Sequence, residues 1–298
     1  MEWKRNNPNG IIHHLTDPFI FGSFIISFCT VALYCQTYLQ LGLRVKLDST
    51  APLVFFATLF LYNFHRLIGV RRILPENHGV VTGWAANNQF ALLILTLAGA
   101  VGVVIFLSQT SYEVILVLIL LGSISLLYEL PVVRYHHQFQ RLRNLGIYKV
   151  FMITSVWAVT TTVLPAINAG ISITNHDLLL IVIERMLFIF LLALCFDVRD
   201  IEFDKKEDLK TIPVRYGIRQ TVNLYRIITL AFLLIISLHY FILSSNMRIG
   251  IAMIFSIGCT FYTVTKTSPP KSDYYYLFLV DGMMIVQFLV TWLFSAIM

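Results

Sequence analysis

The sequence predicts an all-α, polytopic membrane protein of about nine transmembrane helices. Composition gives the first reason. The chain has 298 residues, 57% hydrophobic and 13% charged, whereas a soluble domain carries about a quarter charged residues. Length gives the second, because apolar runs long enough to cross roughly 30 Å of hydrocarbon as helices recur along the whole chain. The distribution of basic residues gives the third. Together these describe one integral membrane domain over residues 1–298.

Nine runs qualify. The first, Pro18 to Leu43, follows "MEWKRNNPNGIIHHLTDP", which lacks the charged, apolar and small-residue order of a cleavable signal and is expected to stay in the mature protein. The second, Ala51 to Arg66, is short, but it extends through "NFHRLIGV" if the basic side chains face protein or water. Asn88 to Leu107, Tyr112 to Leu130 and Tyr148 to Ile167 follow. The sixth, Leu178 to Phe196, carries Glu184 and Arg185 partway along, where charged side chains usually face the interior and pair. Val222 to Leu243 and Ile249 to Val264 come next. Tyr274 to Ile297 is the last, with Asp281 about two turns in. Cys29, Cys35, Cys195 and Cys259 all fall in apolar spans without CxxC or Cys/His metal spacing, so they read as small buried hydrophobes.

With the N-terminus in the cytoplasm, seventeen basic residues lie inside, among them Arg66, Arg71, Arg72, Arg134, Arg141, Arg143, Lys149 and Arg199. The other side receives only Arg44, Lys46 and Arg248. The positive-inside rule therefore places the C-terminus outside, in what is expected to be the cell (inner) membrane. The formal net charge of +6 is topological, and no nucleic-acid partner is implied. The three long polar connections, Arg66 to Asn87, Pro131 to Ile147 and Asp197 to Gln220, share the cytoplasmic face. Chemistry is expected there.

"DVRDIEFDKKED", from Asp197 to Asp208, directly follows the sixth span. Asp197, Asp200 and Asp204 are spaced i, i+3 and i+7, which puts three carboxylates on one face of a helix. Asp208 returns to nearly that direction if the helix lasts so far, and Glu202 points elsewhere. Clustered like charges weaken a helix unless a cation or solvent compensates. A hard divalent cation such as Mg²⁺ suits the role, since it takes carboxylate oxygens, keeps water and recruits phosphate oxygens. A solvated helix end neutralised by Lys205, Lys206 and Lys210 is the plainer reading of the same charges.

The stretch "DVRDIEFDKKEDLKTIPVRYG" resembles the second aspartate motif of the UbiA-type membrane prenyltransferases: a DxxxD core at Asp200 and Asp204, a basic segment, then Thr, Pro and an aromatic-Gly pair ending at Gly217. Its place after the sixth of nine spans matches as well. The resemblance implies a helical bundle around a central cavity and transfer of an isoprenyl group from its diphosphate to a lipophilic acceptor. It also implies divalent metal, most simply Mg²⁺, between the diphosphate and Asp197, Asp200 and Asp204, the expected catalytic and metal-holding residues. Ionising an allylic diphosphate requires neutralising the departing charge, and a greasy cavity shields the carbocation from water.

The first motif departs from the family's NDxxDxxxD pattern. "LYNFHRLIGVRRIL" keeps Asn63, but Phe64, Leu67 and Arg71 stand where acids are expected. Arg66, Arg71 and Arg72 are candidates to hold the diphosphate directly, because guanidinium forks match phosphate. They also read as topogenic charges. His65 faces the cavity or packs. "RLRNLGIYK" resembles the family's third inner connection, making Tyr128, Arg143 and Lys149 diphosphate-binding candidates along with Asn63 and Arg66. A helix starting after Asn144 turns Lys149 toward the bundle. His136 and His137 have no paired ligands at metal spacing. Asp281 is expected to contact acceptor or cation, or to be a hydrogen-bonded buried acid. Asn87, Asn88 and Gln89 line the cavity or cap the third span.

Prenyl transfer is the leading function. The alternative is a non-transferring relative, either a membrane terpene cyclase or a polyprenyl-lipid binder or carrier. A transporter built from symmetric halves is disfavoured by the absence of an inverted repeat or matched Gly/Pro-broken spans.

Overall fold

The computed structural model describes residues 10–70, 79–129, 133–135, 138–140, 146–267 and 271–297. Thirteen α-helices run through them: α1 (Gly10–Phe21), α2 (Phe24–Gln40), α3 (Thr50–Val70), α4 (Val80–Asn87), α5 (Gln89–Leu107), α6 (Tyr112–Glu129), α7 (Ile147–Ala158), α8 (Leu164–Asn168), α9 (His176–Arg199), α10 (Ile201–Lys206), α11 (Ile212–Ser237), α12 (Met247–Thr265) and α13 (Asp281–Ile297). Three π-helical turns, Val159–Val163, Leu238–Leu243 and Tyr275–Val280, are inserted between or before them. In the connection before α7, strands β1 (Val133–Tyr135) and β2 (Gln138–Gln140) form a small antiparallel hairpin, with Arg134 opposite Phe139.

Seven helical segments are long and apolar enough to cross a membrane, and Phe24–Gln40 and Tyr112–Ser125 are shorter apolar helices. The expected second span does run on through its basic end, since α3 stays helical to Val70. The expected first span is not one helix. It breaks at Gly22 and Ser23, where Ser23 adopts φ 67°. Asn63 stabilises that break: its amide donates to the Gly22 carbonyl at 3.1 Å, and its Oδ1 accepts from the Ser23 hydroxyl at 3.3 Å.

The interior divides into a packed half and a hollow half. Helices α2, α9, α11, α12 and α13 share one core, with Leu33, Phe188, Leu191, Tyr225, Phe232, Ile257 and Met284 buried within it. Lipid is left the opposite faces, where Phe90, Val104, Leu234, Ile242 and Phe255 are exposed, as expected of a surface solvated by hydrocarbon. Helices α3, α5, α6 and α7 instead surround a cavity of about 490 Å³. Leu53, Leu61, Tyr62, Val103, Leu118, Ile153 and Trp157 are among its lining. Along α3 the lining extends from Leu53 to His65, about 18 Å at 1.5 Å per residue.

Two glycines shape the end of the bundle where the acidic motif lies. Gly146, at φ 60°, precedes α7 and passes so close to the motif loop that a Cβ would sit 2.5 Å from the Lys210 carbonyl oxygen. Only a residue without a side chain fits both the left-handed backbone and the contact. Gly217, at φ 83°, interrupts α11 and separates the short helical turn begun by Ile212 and Pro213 from the long apolar helix beyond. "TIPVRYG" is thus a turn-and-kink unit.

Candidate active site

Helix α9 delivers Asp197 and Arg199 in its last turn, and the chain then bends at Asp200 (φ −87°, ψ 5°) before α10 carries Asp204. The bend changes the expected single row of acids. Asp197 and Asp204 turn inward, 1% and 2% exposed, whereas Asp200 is turned to Arg199. The Arg199 guanidinium grips it with Nε to Oδ1 at 2.7 Å and Nη2 to Oδ2 at 3.1 Å. Asp208 does not return to the row, because the helix ends at Lys206 and Asp208 takes φ 52°.

Lys149 closes the inward side. Its Nζ donates to Asp197 Oδ1 at 2.9 Å, and it is the principal cation opposing the charge of Asp204. Burial pushes the Asp204 carboxyl up to about 6, reinforced by the charges of Asp197 and Asp200 and opposed by Lys149. The close approach of Gly146 to Lys210 explains how a residue so far away in sequence reaches this position, because it fixes the start of α7 against the motif loop.

A second set of charges lies on the α3 and α13 side. Arg199 Nη1 is 3.9 Å from Asp273 Oδ1, and its guanidinium covers the Phe196 and Tyr276 rings at 4.9 and 5.9 Å. Asp281 is buried, with Arg199 and Arg66 as its charged neighbours. Arg66 in turn has Arg199, Asp281 and Asp273 within electrostatic reach. The charges therefore form one continuous belt from Asp204 through Lys149, Asp197, Asp200 and Arg199 to Asp281 and Arg66. Three buried atoms in it have no hydrogen-bond partner: Asp197 Oδ2, Asp204 Oδ2 and Arg66 Nη1. Buried polar atoms are normally satisfied, so such exceptions mark places built for something else.

Two helices that carry belt residues also line the cavity. Tyr62 and His65, one turn or less before Arg66 on α3, line the cavity wall. So do Met152 and Ile153, which at i+3 and i+4 share the Lys149 face of α7. An amphiphile with an anionic head and an apolar tail matches this layout, head between Arg66 and Lys149 and tail among the α3, α5, α6 and α7 side chains.

The donors also bear on a divalent cation. Among the described residues, no three His, Cys, Asp or Glu side chains are grouped closely enough to hold a metal ion. Asp197 and Asp204 nevertheless offer one unpartnered carboxylate oxygen each. Two carboxylates completed by water and substrate phosphate are a donor set that Mg²⁺ accepts. Asp200, expected as a third ligand, is engaged by Arg199 instead.

Of the other expected residues, Asn63 is fully buried and its amide serves Gly22, Leu59 and Ser23, which makes it a structural residue of the α1–α2 break. Tyr128 lies in α6 with its side chain outside the described set, and Arg71, Arg72, Arg141 and Arg143 lie outside the described residues, as do His136 and His137. Arg199, Asp273 and Asp281 complete the belt. Sequence reasoning counted Arg199 only as a topogenic charge and did not single out Asp273. The intramembrane position of Asp281 was the available signal.

Residues 77–280 match the family model described as the UbiA prenyltransferase family. The chain belongs to the UbiA prenyltransferase family. Within this UbiA chain the match includes Lys149, Asp197, Arg199, Asp200, Asp204 and Asp273, but it begins after α3 and ends one residue before Asp281, so Asn63, Arg66 and Asp281 lie outside it. A solved structure reported under structural and mechanistic insights into digeranylgeranylglyceryl phosphate synthase in membranes aligns with a TM-score of 0.55 at 11% identity. It covers 93% of this chain and 97% of that chain, a likeness of fold. Among curated protein sequences none matches.

Proposed function

We propose that this UbiA-family protein transfers an isoprenyl group from an isoprenyl diphosphate to a lipophilic acceptor at the cytoplasmic face of the cell membrane. One observation carries the reading: the wall of the elongated apolar cavity includes Tyr62, His65, Met152 and Ile153, close in sequence to Arg66 on α3 and Lys149 on α7, where buried polar atoms lack partners. A tail-binding hollow without the belt would suit a lipid carrier, and the belt without the hollow would suit a small anion.

Each of the chain's own groups has a distinct part. The cavity side chains hold the isoprenyl tail and keep water from the allylic carbon as positive charge develops there. Lys149 and Arg66 bind phosphate oxygens from two sides, Lys149 as a point charge and Arg66 as a planar fork. Asp197 and Asp204 would hold a divalent cation such as Mg²⁺, which when bound supplies charge neutralisation for the departing pyrophosphate. Arg199 keeps Asp200 and Asp273 engaged and so fixes the bend between α9 and α10 that aims Asp197 and Asp204 inward.

The test is release of pyrophosphate by purified protein in lipid nanodiscs, supplied with geranyl, farnesyl or geranylgeranyl diphosphate, Mg²⁺ and a lipid extract as acceptor source. Release that depends on extract supports transfer. Release without extract, with formation of a cyclic hydrocarbon, replaces transfer by cyclisation. Tight binding without release at any chain length converts the protein into a binder of isoprenyl diphosphates.

A further inference from the structure

The two halves of the charge belt are chemically unlike. The α9–α10 half presents the unpartnered oxygens Asp197 Oδ2 and Asp204 Oδ2, whereas on the α3–α13 half the unpartnered atom is a nitrogen, Arg66 Nη1. The acids on that second half have guanidinium groups as neighbours. Asp273 is 3.9 Å from Arg199, and Asp281 has Arg199 and Arg66 as its charged neighbours. Among the described residues, buried carboxylate oxygens without a partner, the acceptors a divalent cation can take, lie on one half of the belt only.

We propose that the site is a one-metal diphosphate clamp in which Arg66 binds the diphosphate directly, opposite a single divalent cation held by Asp197 and Asp204. The clamp rests on the isoprenyl diphosphate reading above and specifies how the head group is held. Arg66 suits the role because its guanidinium remains charged and presents donors to a phosphate's oxygens. Asp281, within electrostatic reach of both Arg66 and Arg199, offsets the repulsion between the two guanidinium groups.

The experiment uses full-length protein in nanodiscs with Mn²⁺ and inorganic pyrophosphate as probes. Electron paramagnetic resonance counts bound Mn²⁺, and calorimetry counts bound pyrophosphate. One Mn²⁺ per pyrophosphate in the wild type is expected, and two would overturn the proposal without using any variant. At saturating Mn²⁺, Arg66→Gln should weaken pyrophosphate binding about 10-fold or more, the usual size of a lost charge-assisted hydrogen bond. Its Mn²⁺ binding in the absence of pyrophosphate should match wild type. Asp204→Asn should reverse the pattern by removing the Mn²⁺ signal. Pyrophosphate affinity within twofold of wild type in Arg66→Gln would also overturn the clamp. The outcomes separate this inference from the functional reading. A one-metal, Arg66-dependent pyrophosphate complex that releases nothing from allylic diphosphates retains the clamp and removes the transferase. Two bound Mn²⁺ with active release does the opposite.

Discussion

Two buried groups of charge occupy opposite ends of the bundle, and they differ in whether the hydrogen bonds of their carboxylates and guanidinium groups are complete. At the end away from the acidic motif, Glu184 uses both oxygens: Oε1 lies 2.7 Å from His239 Nδ1, while Oε2 accepts from Gln40 at 3.0 Å and from Tyr240 at 3.0 Å. Arg185 donates from Nη1 to Gln36 and from Nη2 to Gln40, Thr37 and the Leu33 carbonyl. The π turn Leu238–Leu243 places His239 and Tyr240 side by side, their rings 4.0 Å apart, with His239 Nε2 3.5 Å from Asp177 Oδ1 and the one atom of this group without a hydrogen bond among the described residues. The belt around Asp197, Asp204 and Arg66 instead keeps three buried polar atoms without partners. A satisfied buried network specifies one packing. An incompletely satisfied one costs stability and is retained where a ligand completes it. The difference agrees with a structural part for Glu184 and Arg185 and with the proposal that the belt binds a ligand, although both meet the same rule that charged residues in spans face inward.

That contrast is broken most severely by Glu184→Ala, which leaves His239, Gln40 and Tyr240 without the carboxylate they share. A loss of roughly 3 kcal/mol or more is expected, the usual cost of removing one partner from a buried charged group. Reversible denaturant unfolding in mixed micelles measures it, and a loss below 1 kcal/mol would place this network in the same class as the belt.

Asp204→Asn and Asp197→Asn should do the reverse. Pyrophosphate release from an allylic diphosphate should fall by about 100-fold or more in both, while unfolding of Asp204→Asn stays close to wild type and Asp197→Asn also loses its ion pair with Lys149. An unfolding midpoint of Asp204→Asn that falls together with activity would make that acid structural.

A moderate effect is expected from pH. The Asp204 carboxyl is raised to about 6 from its ordinary value near 3.8, so the folded protein holds a proton there that the unfolded chain has lost. Between those values the metal-free protein loses stability as pH rises. Metal affinity moves the other way, since the cation must displace that proton. Mn²⁺ binding should therefore weaken up to about tenfold per pH unit below about 6 and be level above it. A flat profile from pH 5 to 7 would remove Asp204 from the metal.

Asn63→Ala gives the smallest change expected here. Stability should drop by about 1–2 kcal/mol for the lost hydrogen bonds at the α1–α2 break, with pyrophosphate affinity unaltered. A selective loss of pyrophosphate affinity would return Asn63 to the binding site.

Residue patterns alone identified the helical membrane bundle, because hydrocarbon thickness demands long apolar runs and these cannot be hidden in a sequence. They also singled out the acidic motif, Lys149 and Arg66 as candidate site residues. The helical spacing of Asp197, Asp200 and Asp204 further predicted a common face, yet it did not foresee the bend at Asp200. Arg199, adjacent in sequence, captures Asp200, and that choice depends on Asp273 and Tyr276 arriving from the far end of the chain. The equivalence of Glu184, Arg185 and Asp281 as intramembrane charges was likewise resolved only by what packs against them. Periodicity reports which way a side chain leaves its own helix, but pairing is decided by neighbours brought from distant sequence. The tertiary structure alone therefore separated the Asp197 and Asp204 oxygens that remain available from the Glu184 oxygens that do not.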